Sequence, residues 1–431
     1  MASNPFDVAI VGGGITGLAL AIGLLEHGIL VTIYEAASNF GEIGAGVGFG
    51  PNAVRALGLL SPAVKEGFDR CSTNQWESKR DIWFTVRVGD HRKAGDDGIV
   101  KQNGDEKLKI GDAIFEVRFS SDSLWGSVHR AHFLDQLVKL IPKSAAKFGK
   151  RLADISKDDN SDDAILHFTD GTTARHNVVL GCDGIKSRTR ELLLGKDQAK
   201  PDFTGKYVYR GLIPMEKALE ILGEERAANS QMYLGYHGHI LTYPIEKGKT
   251  LNVVAFSSQD SWTDPEWVVH ASKEKILDDY HSWGPQINAL VAAMEKPDIW
   301  ALFNHPPAST YYGSQPHICL VGDAAHASTP HQGAGAGMCI EDCYILTNLI
   351  AEAKGVEDID KVFKAFDEVR RPRTQRLVTT SREAAMLYEF ELEGDDLEAI
   401  ERNMTTRMKW IWDFDPVAEL EKAKAIFRGD A

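Results

Sequence analysis

The chain has 431 residues, 43% of them hydrophobic and 26% charged, a composition that suits a globular protein of two or three domains with a large core. Its formal net charge of -14 argues against nucleic acid as a partner, because phosphate binding draws on clustered Lys and Arg. Five cysteines (Cys71, Cys182, Cys319, Cys339, Cys343) without a C-x-x-C pair exclude a disulfide framework and a zinc knuckle and fit the reducing cytoplasm, and neither a secretory leader nor a membrane span is expected.

The run DVAIV at Asp7 to Val11 is short and β-branched. Behind it stand a glycine cluster and the segment TGLALAIGLLEHG, whose apolar periodicity and terminal glycine predict a helix, and then LVTIYEA, which predicts a second strand. This β-α-β unit implies a parallel sheet. Between Asn74 and Val117, polar runs (DHRKAGDDG, KQNGDEK) alternate with DIWFTVRV and AIFEVRF, which read as loops and strands of a second sheet. A helix is predicted over HRAHFLDQLVKLI. AILHFTD-GT-TARHNVVLGCDG then reads as a hairpin whose second strand runs into another glycine motif.

From Thr204 to Phe256 the aromatic segments YVYRGLIP, SQMYLGYHGHILTYPI and TLNVVAFSS suggest an antiparallel sheet. Helical patterning follows at Lys273 to Ala293. HICLVG is a strand leading into VGDAAHASTPHQGAGAGMCIED and its helix. The tail from Asp358, rich in Ala, Leu, Glu, Arg and Lys, reads as helical throughout. The simplest organisation is an α/β chain in which a discontinuous dinucleotide domain (1–73, 118–190 and 300–357) is interrupted by β-rich segments (74–117 and 191–299) and followed by a helical region (358–431).

Three motifs carry chemistry. Gly12-Gly13-Gly14-Ile15-Thr16-Gly17 fits G-x-G-x-x-G between strand and helix. Gly12 permits the turn, Gly14 lets backbone approach a pyrophosphate, Gly17 allows close packing, and the helix N-terminus attracts negative charge. Glu35, ending the second strand, is placed to accept hydrogen bonds from an adenosine ribose. The second motif, Gly181-Cys182-Asp183-Gly184-Ile185-Lys186-Ser187-Arg188-Thr189-Arg190, and the third, Gly322-Asp323, each set a carboxylate at the carboxyl end of a strand, the edge where ligands lie in open α/β sheets.

In this order the motifs resemble those of the group A flavoprotein monooxygenases, the flavin-dependent aromatic hydroxylases of the para-hydroxybenzoate hydroxylase type. Their segments are GxGxxG, GxDGxxSxxR and GDAAH. SVHRAHFLDQL, VYRGLIP and FDEVRRPR agree as well, and STPHQGAGAG is most similar to the salicylate hydroxylase branch and its fungal phenol-hydroxylase relatives. Two positions depart: Cys182 stands where Ala is common, and Ala334 where many members have Gln. The resemblance implies a Rossmann-like FAD-binding domain with an inserted β-rich substrate domain. It implies FAD held by Gly12, Gly14, Gly17, Glu35, Arg130, Asp183 and Asp323. Asp323 would meet the ribityl chain, Asp183 would lie near the pyrophosphate, and amides of Gly335, Ala336, Gly337 and Met338 would hold negative charge on the reduced ring.

It also implies NAD(P)H and dioxygen as co-substrates and hydroxylation of a phenolic acid or acylphenol through a flavin 4a-hydroperoxide. Within that chemistry Arg210 and Tyr243, on neighbouring predicted strands, form a candidate anion-orienting pair. His331 either tunes substrate or flavin protonation or merely packs, whereas His326 reads as structural. A metal at His326, His331 and Glu341 is disfavoured, since no helical H-x-x-x-H pair exists and glycines interrupt the segment. Glu341 and Asp342 are expected near the first turns of the following helix, where negative charge is favourable. His237 and His239 read as surface histidines, and Trp125, Trp300, Tyr233 and Tyr236 as core. Alternative readings are an epoxidase or hydroxylase of an apolar prenyl or polyketide substrate, and a non-redox prenyl-binding module. The sequence leaves monomer and homodimer open.

Overall fold

The computed structural model describes residues 6–41, 46–90, 99–100, 107–120, 125–295 and 298–430. The strand Asp7–Val11, buried on both faces as parallel-sheet strands are, lies inside a six-stranded sheet. Leu30–Tyr34 and Val178–Gly181 flank it in parallel, His317–Leu320 extends the sheet on one side, and Ala146–Lys147 extends it on the other. Tyr312–Ser314 adds an antiparallel edge. The register sets Val11 beside both Tyr34 and Gly181, and Gly181 beside Leu320. Parallel strands end on the same edge, so the segments after Val11, Tyr34, Gly181 and Leu320 meet there. Main-chain bonds continue past the strand ends: Gly12 N to Tyr34 O at 2.9 Å, Cys182 N to Val11 O at 2.8 Å, and Val321 N to Gly181 O at 2.9 Å.

The helices Ile15–Glu26, Pro51–Leu60 and Gly335–Glu352 pack together in the largest core. A small antiparallel sheet of Leu152–Lys157, Ala164–Phe168 and Thr173–His176 packs against Ala9, Val11 and Val179. The expected hairpin is corrected here, because TARHNVVLG is two strands rather than one. Thr173–His176 closes the small sheet, and Val178–Gly181 enters the parallel sheet. Asn177 makes the switch: its Oδ1 accepts from Asp7 N at 2.9 Å, and its own amide donates to Asp7 Oδ1 at 3.2 Å.

The two β-rich segments, together with residues 300–304 that the sequence reading placed in the dinucleotide domain, form one eight-stranded sheet. Its order is Val268–His270, Asp298–Asn304, Asp202–Pro214, Thr250–Ser258, Gly238–Ile245, Gln231–Gly235, Ile82–Val88 and Ala113–Arg118. It is antiparallel, as expected, except where Gln231–Gly235 runs parallel to Ile82–Val88. Short helices cover one face. The single helical stretch expected over 273–293 is split into Lys273–Asp279 and Pro285–Ala292, with Gly284 and Pro285 marking the new start. On the other face, Arg210 and Leu241 both pair with Val254. Strand alternation therefore puts Arg210, Leu241, Tyr243, Val254 and Phe256 on one side.

The tail is mostly helical, with its longest break at 389–396 and a shorter one at 413–415: a 30-residue helix, Ile359–Tyr388, precedes the first break, and Leu397–Arg407, Lys409–Trp412 and Pro416–Arg428 follow it. Most of the polar runs at 91–98 and 101–106 lies outside the described residues. Among the described residues no helix is long and apolar enough to cross a membrane.

The turn-to-helix packing gives a direct test. A Cβ on Gly17 would collide with the Gly12 carbonyl oxygen, so Gly17→Ala is expected to lower stability by about 1–3 kcal/mol in urea unfolding, as overpacking does. An unchanged midpoint would show that this turn can open.

Candidate active site

A cleft of about 670 Å³ runs between the carboxyl edge of the parallel sheet and the face of the large sheet that carries Arg210 and Tyr243, a volume usual for small-molecule sites. Glu35, Lys150 and Arg151 stand among its walls, as do the Gly12 to Thr16 turn and Asp183; Asp323, Gly335 and Ala336 line it further along. Arg130, Arg210, Tyr243 and His331 line it as well.

The first glycine turn is built tightly. Gly12 has φ +104°, and a Cβ there would strike the Cys182 carbonyl. Glu35 braces the turn, accepting from Gly13 N and from Ala37 N, both at 2.7 Å. Gly14 caps the helix Ile15–Glu26 with no side-chain acceptor, so the helix-start amides keep their hydrogen-bonding capacity for a ligand. Gly17 lies outside the cleft lining and serves packing.

Asp183 turns its carboxylate into its own loop, accepting from Ser187 Oγ at 2.5 Å, Thr189 N at 2.9 Å and Thr189 Oγ1 at 3.1 Å. Burial raises its pKa against the pull of those bonds. The last residue of this motif, Arg190, is fully buried and donates to the carbonyls of Ala325 at 2.7 Å and Ala324 at 3.3 Å. It thereby ties the second motif to the third.

At the start of Gly335–Glu352 the cap residue Ala334 supplies no side-chain bond. Met338 is corrected as a cofactor contact: its amide donates to Ala334 O at 2.9 Å and its side chain is fully buried. Gly335, Ala336 and Gly337 hold the amides that precede the intrahelical ladder. Glu341 and Asp342 lie in that helix as expected, at its seventh and eighth positions, but the helix dipole is not what accommodates them. Both are buried, and each has a cationic partner. Arg370 meets Asp342 Oδ1 at 2.7 Å and Glu341 Oε2 at 2.8 Å. Arg373 meets Glu341 at 2.8 and 2.9 Å, Asn52 donates to Glu341 at 2.6 Å, and His326 Nε2 lies 2.6 Å from Asp342 Oδ2. Gly322 N also donates to Asp342 at 3.3 Å. Burial pushes both carboxyls up, but Arg370 with Arg373 holds Glu341 low, and His326 with Arg370 holds Asp342 low. Among the described residues, the groups of side chains close enough to share an ion do not include His326 with His331 and Glu341.

Arg210 is held on its strand with its guanidinium 5.1 Å from the Trp300 ring. Its buried Nε has no partner among the described residues. Burial lowers its pKa, and the titratable groups acting on it are Tyr243 and Arg130. Burial pushes the Tyr243 hydroxyl up to about 12, against the pull of Arg210. A buried cation without a carboxylate is costly until an anion arrives. Trp125 and Trp300, expected in the core, are half-buried; Trp125 lines the cleft and Trp300 stacks on Arg210. Tyr233 is buried, and the Tyr236 hydroxyl donates to Asp395 at 2.6 Å.

His331 is 1% exposed, and both ring nitrogens are without partners among the described residues. Burial, with His239 and Lys206 nearby, keeps it well below the usual histidine range and therefore neutral. His239 is corrected from surface to core: it is fully buried against Phe256, whereas His237 is exposed. The sequence reading also missed the aromatic walls Trp83, Phe84, Phe119 and Trp412. The alternation in DIWFTVRV could have marked the first two. Trp412, which packs 5.2 Å from Trp83 and 4.4 Å from Phe119, comes from the tail and carried no such signal.

A glycine turn that admits no side chain, uncapped helix starts beside it, and a cleft ending at unpaired Arg210 fit an elongated dinucleotide with an anionic ligand beyond it. They define a flavoprotein of the FAD-binding type. Residues 142–381 match the FAD binding domain family, and the chain belongs to it, as an FAD-dependent aromatic monooxygenase of group A. It is 42% identical to the 6-methylsalicylate 1-monooxygenase atA of Aspergillus terreus over 99% of this chain and 93% of that protein. It is 40% identical to a salicylate hydroxylase of Pseudomonas putida over 97% of this chain and 94% of that protein. A solved salicylate hydroxylase substrate complex superposes with a TM-score of 0.83 at 33% identity, covering 98% of both chains.

Removing Arg370 should expose what the buried ions contribute. Arg370→Met leaves Asp342 and Glu341 short of a counter-ion, with an expected loss of about 3–5 kcal/mol in urea unfolding. Because both carboxyl pKa values are depressed in the folded protein, their stabilisation is complete above the ordinary carboxyl pKa of about 4 and is lost as pH falls through the folded values. The variant's acid-unfolding midpoint should therefore lie at higher pH than the parent's. Equal midpoints in both measurements would contradict this account.

Proposed function

We propose that the enzyme hydroxylates a phenolic aromatic substrate, a salicylate-like acid or an acylphenol, with NAD(P)H and dioxygen as co-substrates. The observation that carries this reading is Arg210, a buried guanidinium in the cleft with no acidic partner among the groups that act on it. The relatives named for salicylate and 6-methylsalicylate support the same substrate class.

Bound FAD, reduced by NAD(P)H, supplies the activation of dioxygen. The remaining roles belong to the chain. Glu35 would hold the adenosine ribose, the Gly14 region the pyrophosphate, Asp323 the ribityl chain, and Gly335, Ala336 and Gly337 the electron-rich edge of the ring. Arg130 and Asp183 would complete the cofactor site. Arg210 binds the substrate carboxylate or phenolate, Tyr243 orients it, and Trp83, Phe84, Phe119 and Trp412 enclose the ring and exclude water. His331, lining the same cleft, is the candidate proton relay, and a deprotonated phenol is a stronger carbon nucleophile. An apolar prenyl or polyketide substrate would leave Arg210 buried and uncompensated, which disfavours that alternative. Five free thiols support a reducing, cytoplasmic setting.

A panel of hydroxybenzoates and acylphenols tests the reading through substrate-stimulated NAD(P)H oxidation and product mass. The expected product gains one oxygen, with loss of carbon dioxide if the carboxylate-bearing carbon is attacked. Arg210→Ala should keep FAD and weaken hydroxybenzoate binding about 30-fold, or ~2 kcal/mol. Full affinity in that variant, or no stimulation by any phenol in the flavin-loaded parent, would rule the reading out.

A further inference from the structure

The two histidines of SVHRAHFLDQL flank Arg130 but stand outside the cleft lining. His129 ends the strand Gly126–His129, and His132 lies in the first turn of the helix Arg130–Val138. Positions three apart at a helix start share a face, and the two rings lie 4.3 Å apart. Glu246, in the turn that follows the strand Gly238–Ile245, brings its Oε1 to 3.7 Å from His132 Nδ1. Donor atoms of His129, His132 and Glu246 all lie within 4.8 Å of one another.

The backbone fixes this convergence. The strand Gly126–His129 pairs with Gly46–Phe49, which sets His129 beside Gly46. Two residues before His129, Ser127 Oγ donates at 2.9 Å to the carbonyl of Pro244, itself two residues before Glu246. Just past Glu246, Lys247 N donates to Thr73 Oγ1 at 2.7 Å, and Thr73 exchanges main-chain bonds with Ser127. The side chains keep capacity for a ligand. The buried Nδ1 of His129 has no partner among the described residues, and His132 is 49% exposed. Glu246 Oε2 accepts from Thr250 Oγ1 at 2.5 Å, a support that holds the carboxylate while Oε1 faces His132. The carboxylates of Glu246 and Asp135 act on His129, and among the described residues no lysine or arginine does.

Two imidazoles and a carboxylate are the donor set of open zinc sites, with Zn–N about 2.0–2.1 Å and Zn–O about 2.0–2.2 Å. Tetrahedral ligands at those lengths stand about 3.4 Å apart, within reach of a rotamer change at exposed His132. Magnesium and calcium favour all-oxygen sites, whereas mixed nitrogen and oxygen donors favour a borderline ion. A second grouping, His239, His331 and Glu389, is fully buried with Lys206 on its carboxylate at 2.5 Å, so a cation there would meet an ammonium.

We propose that His129, His132 and Glu246 bind one zinc-class divalent cation, with water completing its coordination, at a site apart from the cleft. The ion ties the strand end and helix start on either side of Arg130 to the turn joining Gly238–Ile245 and Thr250–Ser258. Arg130 lines the cleft, so the ion fixes the chain on both sides of a cleft residue. The site clips segments together and takes no part in hydroxylation.

Equilibrium dialysis of chelator-stripped, FAD-loaded enzyme against Zn²⁺, read by elemental mass spectrometry, tests the site. The parent is expected to hold one Zn²⁺ per chain in the presence of excess Mg²⁺, and to unfold at a higher temperature with Zn²⁺ than without it. His132→Ala and Glu246→Gln should retain FAD and bind Zn²⁺ at least about ten-fold more weakly, since losing a ligand costs no less than losing its outer support. Their thermal midpoints should not respond to Zn²⁺. Cys71→Ser, which removes the one thiol that is not buried, should bind as the parent does. A parent that takes up no Zn²⁺, ligand variants that bind as tightly as the parent, or loss of binding in Cys71→Ser would each overturn the proposal.

Discussion

The arrangement of the site depends on one buried ionic knot. Adjacent acids on the helix Gly335–Glu352, Glu341 and Asp342, are both removed from water, and each would be ruinous unpaired. Arg370 satisfies both at once from the 30-residue helix that packs beside them. With the two acids on one helix and the arginine on another, the rotation and height of the first helix against the second are set within hydrogen-bond tolerance. The free amides at the start of that first helix are therefore aimed at the cleft by charges two turns further along it. The same Asp342 receives Gly322 N and His326, so the third motif is set against the same reference.

The other two motifs are linked by equally specific means. Glu35 spans from the second strand to Gly13, and Arg190 reaches from the second motif to the carbonyls of the third. Each cross-link satisfies backbone groups that strand ends leave open. A parallel sheet brings the segments into proximity, and these bonds turn proximity into a defined site. That explains how motif residues outside the cleft lining still define it: Arg190 and Gly17 shape backbone, whereas Asp183 lines the cleft with a carboxylate already bonded within its own loop.

Local periodicity made the β-α-β unit and the convergence of three strand ends legible, because a parallel sheet follows from the pattern and its carboxyl edge from the sheet. Arg210 and Tyr243 were legible as a pair because both sit on strands whose alternation sorts side chains by face. His239 was not. The Gly238 before it resembles a surface turn, and the carboxylate that makes its burial tolerable lies 150 positions away in the chain. Glu341 and Asp342 failed for the same reason: their sequence neighbourhood allows a dipole explanation, and the arginines that neutralise them are brought in by tertiary packing. Asn177 shows the complementary limit. A strand that changes sheets keeps its hydrophobic alternation, so one side-chain bond to Asp7 decides what the pattern reads as continuous.

The distribution of buried cations then separates structure from recognition. Arg190 and Arg370 are fully buried, each hydrogen-bonded to carbonyls or carboxylates, and the nearly buried Arg373 is likewise satisfied by Glu341. Lys206 is likewise held by Glu389 and Glu391. Arg210 differs: an aromatic face and a tyrosine surround it, with no acid acting on it among the described residues. Evolving a pocket around an uncompensated guanidinium costs stability, and that cost is recovered only when an anion binds. The surrounding Trp, Phe and Leu side chains strengthen the attraction by excluding water. A phenolic acid supplies the charge and the flat ring together, whereas a neutral hydrocarbon would supply only the ring and leave the cation stranded.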